Sequence, residues 1–142
     1  MLTFAAATVL GASSPVMAGH DGSCDTAAED GNLCVYRDIH YQGGMLDFTR
    51  TDHNYTSSAD VFWDYYAETS QNINDQVSSI YNAELRCQWY LYRDAEFGGG
   101  VGYIGPGMSL DDLRYLNSGN ANDVLSSHYK WTGTKECVNG ST

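Results

Sequence analysis

Two phrases occur twice in this chain, and a chain that repeats itself in this way is constrained to fold as two matched units. Tyr36 to Gly43 reads Y-R-D-x-x-Y-x-G, and Tyr92 to Gly99 reads Y-R-D-x-x-F-x-G. Downstream of each stands N-D-x-x-S-S, first from Asn74 to Ser79 and again from Asn122 to Ser127. The shared order of both phrases marks a tandem duplication. The copies are unequal: 39 positions separate Tyr36 from Asp75 and 31 separate Tyr92 from Asp123, so the first copy carries extra chain.

N-D-x-x-S-S is an array of oxygens within one turn of chain. It offers an amide (Asn74, Asn122), a carboxylate (Asp75, Asp123), a backbone carbonyl (Gln76, Val124) and a hydroxyl (Ser78, Ser126). Hard cations take such donors. Calcium accepts about six to eight oxygens in irregular geometry, whereas magnesium demands a near-octahedral shell. One carboxylate per site implies modest affinity. The same residues suit a plain turn in which Asn, Asp and Ser bond their own backbone, and for one copy alone the two readings are balanced. The other phrase, aromatic-x4-aromatic-x-Gly, fits a folded-over hairpin: two rings meet across the arch, and glycine supplies a positive φ that other residues resist.

Together these signatures resemble the βγ-crystallin family, over about Leu33 to Trp131. The resemblance implies an all-β fold, a double Greek-key β-sandwich, with two calcium ions. It assigns donors to Asp75, Gln76, Ser78, Asp123, Val124 and Ser126. It adds a hairpin carbonyl from Arg37 and from Arg93, which could act only through their backbone oxygens. Ser79 and Ser127 are implied to brace the hairpins. Tyr36 with Cys34, followed by Tyr41-Gln-Gly-Gly-Met-Leu46, is also similar to the secreted bacterial metallopeptidase-inhibitor family of the same fold. That family holds an N-terminal Cys pair near its first strand, as Cys24 and Cys34 stand here.

Seven basic against eighteen acidic residues give a net charge of -11. This excludes a phosphate backbone as a natural partner, since such binding draws on Lys and Arg. Cations fit better, although simple solubility also accounts for acidity. Residues 1–18 are apolar and rich in small side chains, with Val16-Met17-Ala18 at a suitable cleavage point, and read as a secretory signal removed before Gly19. A positive n-region is missing, the first Lys or Arg being Arg37. As a membrane span the stretch is short and broken by Gly11 and Pro15. The protein is thus expected to be secreted, without a membrane span, and monomeric.

Four cysteines in an exported chain indicate a disulfide framework with three possible connectivities. The expected pairs are Cys24 with Cys34 and Cys87 with Cys137. Zinc ligation is the alternative, but no C-x2-C or H-x3-H spacing is present.

The expected organisation is a signal (1–18), a polar arm (19–32), a two-motif domain over 33–132 and a tail (133–142) containing Cys137. Motif one covers 33–83 and motif two 86–132. Strands are expected at Leu33 to Asp38, Met45 to Thr49, Val77 to Asn82, Arg86 to Asp94, Val101 to Ile104 and Val124 to Trp131. The third strand of motif one is expected from the aromatic run Phe62, Trp63, Tyr65 and Tyr66. The extra residues are expected to make a protruding loop near Asn54, where a peptidase could be engaged. One short helix in motif two is expected, capped by Ser109 with Asp111 and Asp112 in its first turn.

Catalysis finds no support. Gly100-Val-Gly-Tyr-Ile-Gly105 matches G-x-G-x-x-G, but Pro106 and Gly107 stand where a phosphate-binding helix would begin. His20, His40, His53 and His128 are scattered, and no nucleophile motif is present. The sequence therefore reads as a calcium-binding module, with peptidase inhibition as the alternative on the same scaffold.

Overall fold

The computed structural model describes residues 19–28, 31–65, 67–116 and 119–131. Among these described residues nine strands form two antiparallel sheets. They are β1 (Leu33–Asp38), β2 (Gln42–Phe48), β3 (Val61–Asp64), β4 (Ala67–Asn72), β5 (Ser79–Asn82), β6 (Trp89–Tyr92), β7 (Gly100–Ile104), β8 (Ser109–Leu110) and β9 (Ser127–Lys130). One sheet runs β4-β3-β2-β1-β5-β8 and the other β7-β6-β9. The expected double Greek-key sandwich is the fold.

The duplication is visible in the register. Tyr36 opposes Ser79 and Val35 opposes Ile80 in the first sheet, and Tyr92 opposes Ser127 and Leu91 opposes His128 in the second. Each arch is closed as its sequence requires. Tyr36 meets Tyr41 edge to face at 5.6 Å, Tyr92 meets Phe97 likewise at 5.5 Å, and Gly43 and Gly99 take φ of 74° and 59°. Ser79 Oγ donates to Asp38 O at 2.6 Å, and Ser127 Oγ donates to Asp94 O at 2.7 Å. The same hydroxyls accept from Tyr41 N and Phe97 N. His40, Tyr41, Glu96 and Phe97 also hold positive φ, so the strain at each arch tip is borne by more than glycine.

The motifs exchange strands. β8 of motif two pairs with β5 of motif one through Ile80 and Leu110. Its counterpart in motif one is Asp52, which bridges to His128 of β9. The third-strand position of motif one is therefore Asp52, not the aromatic run. That run builds an inserted hairpin, β3–β4, which widens the first sheet at its β2 edge. Phe62 enters the core from it and Trp63 packs against the core, so the run contributes to the core as expected but from an inserted hairpin rather than from the third strand. Near Asn54 the chain anchors itself through Tyr55, fully buried, while residues 56–59 stay exposed. Tyr65 at the hairpin tip also projects, 99% exposed.

The short helix of motif two is a single 3-10 turn, Leu113–Tyr115, capped by Asp112, whose carboxylate accepts from Arg114 N. Ser109 does not cap it because Ser109 and Leu110 are drawn into pairing with β5; ladder bonds to a neighbouring strand override a local helical preference.

One apolar cluster draws on both motifs, including Val35, Leu46 and Ile80 from the first and Trp89, Leu91 and Leu125 from the second. At its centre His128 is fully buried. Its Nδ1 accepts from Tyr55 Oη at 2.6 Å, its Nε2 donates to Arg50 O at 2.8 Å, and its ring meets Phe48 at 4.4 Å and Trp89 at 5.2 Å. Burial lowers its pKa to about 4. Lys130 and Glu84 form a buried pair at 3.3 Å, with the ammonium also over the Trp89 ring.

The polar arm is docked rather than free. Cys24 and Cys34 are bridged, and Asp47, buried on β2, accepts through Oδ1 from Asp21 N and Gly22 N. Cys87 is also disulfide-bonded; Cys137, its expected partner, lies outside the described residues, as do the expected signal and the whole tail.

Candidate functional site

The repeated Asn-Asp phrases lie at the ends of the two motifs, where the backbone crosses from one copy to the other. Asp75 N donates to Leu125 O and Asp123 N donates to Val77 O, both at 3.0 Å. Ser78 N donates to Tyr36 O and Ser126 N to Tyr92 O, which sets each motif-end loop against its own arch. Asp75 and Asp123 adopt positive φ of 56° and 54°. Short polar side chains tolerate that region better than branched ones.

This backbone exchange turns each carboxylate toward the other copy. Ser126 Oγ donates to Asp75 Oδ1 at 3.1 Å, and Ser78 Oγ donates to Asp123 Oδ1 at 3.1 Å. The remaining carboxylate oxygen accepts from the preceding amide in both copies, Asn74 Nδ2 to Asp75 Oδ2 and Asn122 Nδ2 to Asp123 Oδ2. The oxygen array is therefore not contained within one turn of chain: Asp75 and Ser78, neighbours in sequence, belong to opposite sites.

One open cleft gathers Asn74, Asp75, Arg93, Asp94, Val124 and Ser126. Five of these six are sequence-predicted donors drawn from both motifs. Asp94 was not among them, although it is the third residue of the repeated Y-R-D phrase. It adds a second carboxylate to the cleft, and Asp123 lines it too. Asn74 Oδ1 is buried with no hydrogen-bond partner, an oxygen that requires a donor or a cation. The symmetric set, Asp123 with Ser78, repeats the same pair distance. Its Arg37 lines a separate cleft with Tyr41, Gln42 and Gly43, and its guanidinium bonds Gln71. Gln76 is exposed beside Val77.

All donors in these loops are oxygens. Amide, carboxylate and hydroxyl oxygens suit a hard cation, and the open cleft leaves room for waters to complete an irregular shell. The residues fit calcium.

The description "Peptidase inhibitor family I36" matches the chain over residues 23–104. No curated protein is similar enough to match the chain. Among solved structures, a protein described under "Evolution of the eye lens beta-gamma-crystallin domain fold" is 21% identical. It superposes with a TM-score of 0.58, covering 78% of this chain and 93% of that one. A beta gamma crystallin from Ciona intestinalis, also 21% identical, gives 0.53 with coverages of 71% and 100%. A betagamma-crystallin domain from Flavobacterium johnsoniae is 25% identical at 0.51, with coverages of 72% and 97%. These likenesses establish the fold.

Proposed function

The chain belongs to peptidase inhibitor family I36, and from that premise we propose that it is a secreted inhibitor of extracellular peptidases whose sandwich is clamped by two calcium ions. It is a binding protein rather than an enzyme. The observation that carries the calcium reading is the exchange of donors between motifs, Asp75 with Ser126 and Asp123 with Ser78, together with the unpartnered Asn74 Oδ1. In the first site Asn74, Asp75, Val124, Ser126 and the Arg93 carbonyl would hold the ion, and in the second Asn122, Asp123, Gln76, Ser78 and the Arg37 carbonyl. Calcium supplies positive charge between carboxylates that otherwise repel, and it ties the end of one motif to the hydroxyl of the other.

Extracellular calcium modules bind at roughly 10⁻⁴ to 10⁻³ M. At 100-fold excess one site stabilises the fold by about 2.7 kcal/mol, which raises the melting temperature by about 10 °C in a domain of this size. The Asp75→Ala, Asp123→Ala double variant should lose that rise. An unchanged melting curve on calcium addition to the parent protein would retire the reading.

Inhibition is assigned to the inserted β3–β4 hairpin, which motif two lacks. Among the described residues β4 is the edge strand of its sheet, and Tyr65 projects beside it. An extended edge with an exposed aromatic suits the active-site cleft of a peptidase, which binds its substrates as strands. Thermolysin-type enzymes are the appropriate first panel, given the resemblance to metallopeptidase inhibitors. Inhibition at micromolar concentration that weakens in Tyr65→Ala supports this placement; no inhibition by the parent protein retires it without touching the calcium sites.

A further inference from the structure

A second donor cluster lies away from the motif-end loops, where the N-terminal arm meets the foot of the inserted hairpin. His20 Nε2 stands 3.8 Å from Asp60 Oδ1, and one ligand atom from each of His20, Asp52 and Asp60 lies within 4.8 Å of the others. Asp60 is 2% exposed, and its Oδ2 is buried with no hydrogen-bond partner. A carboxylate oxygen so placed is costly unless a cation meets it or the group shares a proton with Asp52, whose carboxyl hydrogen-bonds it. Two carboxylates sharing a site compound that cost.

The three residues are fixed through bonds that leave donor atoms available. His20 N donates to Asp47 O at 2.8 Å, and the ring lies edge-on to Phe48. Asp52 is locked to His128 by reciprocal backbone bonds of 3.1 and 2.8 Å, and its Oδ1 accepts from Asn54 N. The Asp60 carbonyl accepts from Ile73 N and Asn72 Nδ2, both at 2.9 Å. All three side chains line one cleft, open to solvent beside Asn54 and Ser57.

We infer that His20, Asp52 and Asp60 form a site for a divalent transition metal of the zinc class, with one ligand position left to the cleft. The imidazole decides the class: calcium takes oxygen shells, whereas a mixed set of imidazole and carboxylates suits zinc. Zinc bonds of about 2.0–2.2 Å place tetrahedral ligands roughly 3.4 Å apart. The donors must therefore close by about an ångström, which side-chain rotation of the partly exposed His20 and Asp52 can supply. The ion would neutralise the facing carboxylates of Asp52 and Asp60 and staple the arm to the base of β3, bracing the hairpin from below. This site shares no residue with the calcium loops, so the two assignments stand or fall separately.

The test is calorimetric titration of chelator-stripped protein with zinc chloride in the presence of millimolar calcium. One zinc per chain is expected. Asp60→Asn, an isosteric change, and His20→Gln should each weaken binding at least tenfold, while His40→Gln and the Asp75→Ala, Asp123→Ala double variant leave it unchanged. In the parent protein one equivalent of zinc should shift the ¹⁵N resonance of His20 Nε2 and leave His40 in place, a readout that does not depend on how any variant folds. Absence of stoichiometric zinc uptake, uptake indifferent to both substitutions, or a stationary His20 resonance overturns the assignment.

Discussion

Acidification should attack this fold through one buried ring. His128 is neutral in the core, satisfied on both nitrogens by Tyr55 Oη and Arg50 O, and burial, the largest influence on it, brings its pKa from 6.5 to about 4. Protonation would make both nitrogens donors, remove the acceptor that Tyr55 needs, and place a charge among Phe48, Tyr55 and Trp89. The sign follows from linkage. The folded state binds the proton less tightly than the unfolded chain, so this contribution is fully present above pH 6.5 and is lost as pH falls toward 4. At pH 4.5 the loss amounts to about 2 to 3 kcal/mol. Total stability is a poor readout, because Asp47 and Asp60, with pKa raised by burial to about 6 and about 7, gain on acidification over part of the same range. The assay is therefore a comparison: urea unfolding of the parent protein and of His128→Gln at pH 7.5 and 4.5. The parent's advantage over the variant should shrink by about 2 to 3 kcal/mol at the lower pH. A gap that stays constant, or a His128 resonance that titrates near pH 6.5, would refute the reasoning.

Other consequences are local. Ser127→Ala removes a buried hydroxyl that donates to Asp94 O and accepts from Phe97 N, and should cost about 1 to 2 kcal/mol in urea unfolding, since both bonds are partly buried and their backbone partners lose them. Ser79→Ala, its equivalent, should cost a similar amount. Glu84→Gln removes one carboxylate charge from beside the buried Lys130 ammonium and should destabilise, measured the same way. Gly43→Ala forces a side chain into φ of 74° and against the Asp38 carboxylate; a loss of about 1 to 2 kcal/mol is expected.

The arches were legible in the sequence because their chemistry is local. Two aromatics, a glycine and a later serine specify the closed hairpin, and Tyr36 with Tyr41, Gly43 and Ser79 do what their spacing implies. The exchange between motifs was not legible, because nothing in N-D-x-x-S-S reveals that Asp75 faces Ser126 rather than Ser78; that depends on the pseudo-two-fold packing of the copies. The inserted hairpin was misplaced for a related reason. Burial of Phe62 is encoded in its apolar side chain, but which strand position it occupies is decided by whether Asp52 or Phe62 reaches β9. The short helix is the turn Leu113–Tyr115, and it starts at Asp112 rather than Ser109 because two ladder positions on β5 outweigh a favourable cap. His20 and Asp60 are 40 positions apart with no ligand spacing between them, so only the docked arm brings them together.

Calorimetric titration of chelator-stripped protein with calcium reaches the central claim most directly. The account predicts two ions per chain, falling to one in Asp75→Ala and also to one in Ser126→Ala, since these two residues serve the same site. No binding, or a Ser78→Ala variant that abolishes the same site as Asp75→Ala while Ser126→Ala spares it, would contradict the exchange of donors between motifs.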